Sequence, residues 1–172
     1  LINASVLLTA ELEKTGPDEF EIKFRIWDVI SQSKLGKGLK FTSKTANWRR
    51  VAHKVADEIY NRVTGEGPYF DSKIVFVAES GPKNKRMKRI AVMDQDGANV
   101  RFLTDGKNIV IKPMFSPSSD SILYTSYKSG VPRVYKKDLK TGKESTFKSL
   151  PGMNFSPRFS PDGKNFLLSI TN

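Results

Sequence analysis

The residues that could do chemistry are few. Cysteine is absent and histidine occurs once, at His53. Thiolate nucleophiles, disulfides, thiolate zinc sites and histidine-rich metal centres are therefore excluded. His53 lies within a run in which Trp48, Val51, Ala52, Val55, Ile59 and Val63 recur at helical spacing. A general base needs a convergent pocket and a nucleophile to serve, and no Gly-x-Ser-x-Gly elbow occurs in the chain. His53 thus reads as a surface helix residue four positions before Asp57. The carboxylates Asp94, Asp96, Asp138 and Asp162 stand at turn positions, where side chains of this type cap backbone N–H groups. No enzymatic activity, no cofactor and no metal site is expected.

The remaining chemistry is charge. The 172 residues carry 29 basic and 18 acidic side chains, net +11. Residues 1–71 hold 11 basic and 10 acidic residues, so nearly all the excess lies beyond them. The densest cluster is Lys83, Lys85, Arg86, Lys88 and Arg89. Such a field attracts anionic partners. Single-strand readers interleave charge with aromatics for base stacking. Residues 82–89 contain none, so a nucleic-acid partner is not expected. No apolar run approaches the roughly 20 residues of a membrane-spanning helix, and any membrane association is expected to be indirect.

Two kinds of element must position these groups. In the first 65 residues, Ala4, Val6, Leu8, Ala10 and Leu12 alternate with polar residues. After the Gly16-Pro17-Asp18 turn, Phe20, Ile22, Phe24 and Ile26 do the same. The period of two predicts strands. A third, weaker strand is expected through Leu35, Leu39 and Phe41. The helical run then follows, with Thr45 as N-cap, Gly65 past its end, and Trp48 anchoring its first turn. The helix is expected to cover the apolar face of an antiparallel meander.

The second part repeats itself. Pro113-Met114-Phe115-Ser116-Pro117 recurs as Pro157-Arg158-Phe159-Ser160-Pro161, 44 residues on. Arg133 and Asp138 match Arg89 and Asp94 at the same offset. A period in the low forties with four short strands per unit is the pattern of a β-propeller blade. One expected set of strands is Ile74–Ala78, Arg89–Asp94, Val100–Thr104 and Lys112–Phe115. The next is Ile122–Tyr127, Arg133–Asp138, Ser145–Lys148 and Pro157–Phe159, and Asn165–Ile170 opens a third. Phe115 and Phe159 are expected to be well buried at equivalent positions. A propeller closes with about 4–8 blades. A little over two here predicts a piece of a longer protein.

The fold expected is therefore an α+β N-terminal piece, antiparallel strands plus one helix, followed by an incomplete all-β propeller. Residues 1–65 form the end of the first domain, 66–71 a linker, and 72–172 the propeller part. Tyr69 and Phe70 are expected to pack between the two.

A family resemblance runs along the same order of segments. Trp27-Asp28-Val29, the stretch Trp48 to Asp57, Thr64-Gly65-Glu66 and Tyr69-Phe70-Asp71-Ser72-Lys73-Ile74-Val75-Phe76-Val77 resemble the TolB family, periplasmic propeller proteins of the Tol–Pal system. The resemblance covers residues from about 20 to 172. It implies an α/β domain joined to a six-bladed propeller. It implies docking of the peptidoglycan-associated lipoprotein Pal on the propeller, and contact with TolA through an N-terminal segment that this sequence does not contain. It further implies a periplasmic, non-catalytic adaptor that supports outer-membrane integrity and invagination during cell division. The alternative is the propeller domain of a prolyl-oligopeptidase-like peptidase. Partner docking is placed on loops at one end of the propeller, Ser80–Lys88, Asp105–Ile109, Lys128–Pro132 and Leu150–Asn154. Lys107, Lys128 and Asn154 are the candidate partner-binding residues.

Overall fold

The alternating stretches at the start of the chain form a long hairpin. The structure, a computed structural model, describes residues 3–147 and 150–171. β1 (Val6–Gly16) pairs antiparallel with β2 (Glu19–Asp28), setting Leu8 opposite Ile26, Ala10 opposite Phe24 and Leu12 opposite Ile22. Opposed residues share a face, so one side of the hairpin is apolar. The other edge of β2 takes two short strands in line. β3 (Ser33–Lys34) pairs at Trp27–Asp28, and β4 (Leu39–Lys44) pairs over Glu19–Phe24. The single third strand expected through Leu35 and Phe41 is therefore broken. The break is at Gly36, whose φ is +76°. There the Arg62 guanidinium donates to the Leu35 carbonyl at 3.0 Å and the Lys37 carbonyl at 2.6 Å.

α1 (Trp48–Thr64) lays Val51 and Val55 on Phe24 and Ile26, with Ile22, Phe41 and Ile59 around them. Burying each such side chain contributes about 1.5–3 kcal/mol, so this face holds the sheet and helix together. The helix start differs from the reading of the sequence. Thr45 opens a 3₁₀ turn, Thr45–Asn47, and its N–H is already bonded to Asp18 O at 2.9 Å. Asn47 is the capping residue and makes no side-chain cap bond. Trp48 anchors nothing: it is 55% exposed, with the Arg49 guanidinium 4.8 Å from its ring centre. The end is as read. Gly65 takes the left-handed conformation, φ +75°, and its N–H reaches Asn61 O at 2.8 Å.

The residues after α1 fold back on it. The Asp57 carboxylate accepts the consecutive backbone N–H groups of Tyr69, Phe70 and Asp71 at 2.7, 2.6 and 3.0 Å. Tyr60 meets Tyr69 and Phe70 edge-on at 5.4 and 5.8 Å, and those two rings stack at 4.3 Å. Contacts divide the chain into Leu1–Ser72 and Lys73–Asn172.

The second unit contains three antiparallel sheets. β5 (Lys73–Ser80), β6 (Met87–Asp94) and β7 (Arg101–Phe102) form the first, in that order. β8 (Val110–Phe115), β9 (Ser121–Ser126), β10 (Arg133–Asp138) and β11 (Glu144–Thr146) form the second. β12 (Met153–Phe159) and β13 (Phe166–Thr171) form the third. The part of the expected strand at Lys148 lies outside the described residues.

One boundary moves relative to the sequence reading. β8 was expected to close the first set, but it pairs with β9, Phe115 opposite Ile122, and opens the second sheet. The Phe-Ser-Pro element is the reason. Ser116 N–H reaches Ser121 O and Ser119 N–H reaches Ser116 O, both at 2.8 Å. Ser160 repeats this with Asn165 and Gly163 at 2.9 Å each. A loop this short can join only antiparallel neighbours, so the element sits inside a hairpin.

The core of this unit is Ile90, Val110, Ile122, Tyr124 and Tyr135. Phe115 and Phe159 hold equivalent places, opposite Ile122 and Phe166, but both are only partly buried. The fully buried positions belong to β9 instead, where Ser121 to Ser126 are all buried. β8 and β12 each carry a bulge, and at each bulge a residue takes positive φ: Lys112 at +50° and Ser156 at +56°. The two are 44 residues apart, and the Lys112 ammonium donates to Ser156 Oγ at 2.7 Å.

Candidate functional site

Four connections of the second unit converge at one end. The 105–109 connection lies on the start of β6: a Cβ on Gly106 would meet Met87 Cγ at 2.5 Å. Tyr127 N–H reaches Ile109 O at 3.0 Å, joining that connection to the one after β9. Asn154 N–H reaches Pro132 O at 3.0 Å, and the Arg133 guanidinium reaches Leu150 O at 2.9 Å, which brings in the connection before β12.

This end combines apolar and basic groups. Met87, Ile109, Tyr127, Val131 and Met153 are each between a third and just over half exposed. Lys83, Lys85 and Lys107 stand on the surface beside them. Half-exposed apolar side chains inside a charged rim are the make-up of a protein-docking surface. The basic cluster is partly neutralised from within. Glu79 pairs with Lys88 at 2.8 Å and with Arg86 at 4.0 Å, and the Lys88 contact holds its carboxyl below the usual range. Arg89 lies over Phe102, 3.6 Å from the ring centre.

The three candidate residues have three different fates. Lys107 stands out into solvent, its side chain 82% exposed and loosely paired with Asp105 at 3.8 Å. Lys128 is held down: its ammonium pairs with Glu144 and sits 4.1 Å over the Tyr135 ring. Asn154 is fully buried. Its Oδ1 accepts the Val134 N–H at 2.8 Å, so it ties β12 to the start of β10 and presents no side-chain surface. It stands where the earlier repeat has Val110, which explains its burial.

The sequence reading missed a second feature of this end. A cavity of about 410 Å³ opens between Phe102, Asp105 and Asn108 on one side and Lys128, Lys137 and Glu144 on the other. The Tyr124 hydroxyl donates to Glu144, and Lys137 lies 4.0 Å from the same carboxylate. Burial, then Tyr135 and Asp105, push the Tyr124 hydroxyl far above the usual phenol range. Burial, then the repulsion of Lys137, push Lys128 down, while Asp105 pulls the other way. His53 stays on α1, part-buried, far along the chain from these groups. Among the described residues no group of three or more His, Asp or Glu could hold a metal ion, and no helix is long and apolar enough to cross a membrane.

A family model described as the TolB beta propeller domain matches residues 60–172. The Tol-Pal system protein TolB of Jannaschia sp. is 51% identical over 150 residues, 87% of this chain and 34% of its own length. That of Rickettsia bellii is 49% identical over 170 residues, 98% of this chain and 38% of its own. The crystal structure of TolB from Acinetobacter baumannii matches with a TM-score of 0.82 at 27% identity, over 98% of this chain and 42% of that one. The chain thus spans between a third and about two fifths of the length of these relatives.

Proposed function

The chain belongs to the TolB β-propeller family, and on that footing we propose that it is part of a non-catalytic adaptor of the Tol–Pal system in the periplasm. The whole protein docks a Pal-like lipoprotein on its propeller and supports outer-membrane integrity and invagination during division. A TolA-like partner is contacted through a segment outside this sequence. The observation that carries the docking reading is the loop end of the second unit. There Met87, Ile109, Tyr127, Val131 and Met153 offer apolar contact inside a basic rim. Partner burial of that patch supplies affinity, and the lysines supply steering toward an acidic partner surface.

Lys107 and Lys128 make separable contributions in this reading. Lys107 is exposed and only loosely paired with Asp105, so its charge can steer, whereas the Lys128 charge is already met by Glu144. The test is association of full-length protein with the soluble part of a Pal-like lipoprotein across a salt series. Lys107→Glu lowers the association rate at low salt, and the difference closes as salt rises. An unchanged rate at low salt removes the steering role. No binding by the unaltered protein at any salt removes the docking reading.

A further inference from the structure

The cluster beside the cavity is not required by the blade. Lys137 opposes Glu144 across β10 and β11, and Tyr124 opposes Tyr135 across β9 and β10. The first sheet holds the same places 44 residues earlier on β6, and by equal pairing on β5. There Met93 stands for Lys137, Val100 for Glu144, and Phe76, opposite Ala91, for Tyr124. At these three places the first sheet sets hydrocarbon, and the second sets an ammonium group, a carboxylate and a phenol, which the ammonium group of Lys128 joins. Replacing partly buried charges with well-packed apolar residues is commonly neutral or stabilising. Packing therefore gives no reason for the charged version.

Its charge balance points to a ligand. Lys128 and Lys137 share the one carboxylate of Glu144, which also accepts the Tyr124 hydroxyl. The two ammonium groups are close enough for Lys137 to disfavour the charge on Lys128. A second anion between them relieves that repulsion. The cavity wall adds donors of the right kind. The Asn108 amide lines it, and Ser126 Oγ accepts the Lys128 N–H at 3.3 Å, which leaves its O–H free to donate. Asp105, on the opposite wall, favours a ligand that also carries a hydrogen-bond donor. About 410 Å³ is within the range of small-molecule sites.

We propose that this cavity binds a small anion, a carboxylate or phosphate group held between the ammonium groups of Lys128 and Lys137, with Asn108 and Ser126 as further donors. The site stands whether or not the loop end docks a lipoprotein. The test uses full-length protein titrated separately with acetate and with inorganic phosphate. Binding is followed by the NMR signals of the lysine ammonium groups and of the backbone at 105–108 and 126–128. Saturable shifts with either probe are expected, and which probe saturates at lower concentration tells carboxylate from phosphate. Lys137→Met installs the residue that the first sheet already carries at this place. It should keep the fold and weaken binding by about tenfold or more, the loss of one charge-assisted hydrogen bond. Lys137→Arg should retain binding. Shifts that rise linearly without saturation with both probes overturn the proposal. So do saturable shifts of equal midpoint in Lys137→Met.

Discussion

Removing the Asp57 carboxylate is the most informative single perturbation of the first unit. It accepts three consecutive backbone N–H groups, two on Oδ1 and one on Oδ2. A hydrogen bond to a charged group contributes about 1.5–3 kcal/mol when shielded. Here Tyr69 and Asp71 are exposed and water can take their N–H groups, so the three together should contribute about 2–4 kcal/mol rather than the sum. Asp57→Ala loses all of it, and the Tyr60–Tyr69–Phe70 ring contacts loosen with the backbone that carries them. Asp57→Asn keeps one oxygen for Tyr69 and Phe70 but turns an amide NH₂ toward Asp71, so it should cost about half as much. The assay is chemical denaturation of full-length protein together with amide hydrogen exchange at residues 69–71. Exchange there should accelerate strongly in Asp57→Ala and less in Asp57→Asn. Unchanged exchange at those three amides in Asp57→Ala would mean that the carboxylate does not hold them, whatever the global stability did.

The other predictions concern turns and pH. Gly106→Ala should destabilise far more than Gly130→Ala. Both positions have φ above +80°, a left-handed cost of about 1–2 kcal/mol for a residue with a Cβ, but only at Gly106 does that Cβ also strike Met87 and Arg89. Ser119 at φ +58° occupies the place that Gly163 holds in the next repeat, so Ser119→Gly should raise stability by up to about 1 kcal/mol in thermal melts. Glu21 pairs with Lys40 at 2.9 Å and Lys23 at 3.0 Å, which hold its carboxyl down at about 2. A carboxyl lowered on folding stabilises the protein above its unfolded value and loses that contribution as pH falls. Stability should therefore decline between about pH 4.5 and pH 2, and Glu21→Gln should flatten that decline.

Periodicity made much of this fold legible. Leu8, Ala10 and Leu12 against Ile22, Phe24 and Ile26 gave the hairpin and its apolar face, of which Phe24 and Ile26 on β2 are buried while Leu8 and Leu12 on β1 stand exposed. Val51 and Val55 gave the helix that covers it. The 44-residue repeat gave the blades. What escaped was decided by contacts that spacing does not encode. Gly36 breaks a strand because Arg62 arrives from 26 residues away. The Phe-Ser-Pro element opens a hairpin because its serine closes the turn, a role that the 44-residue spacing does not show. Asn154 has the composition of a surface residue but stands in a position that the earlier repeat fills with Val110. The charged cavity was open to detection, since aligning Lys137 with Met93 and Glu144 with Val100 exposes a polar cluster where its neighbour is apolar. The sequence alone does not disclose that Lys128 and Tyr124 join it from β9 and the loop that follows.

The docking face proposed above lies at the loop end of the propeller unit. Cross-saturation NMR of full-length protein bound to the soluble part of a Pal-like lipoprotein tests it most directly. Attenuated amides are expected at 80–88, 105–109, 127–132 and 150–153, with Met87, Ile109 and Val131 at the centre. A footprint on the opposite turns, at 95–99, 139–143 and 161–164, or confined to residues 6–64, would contradict it.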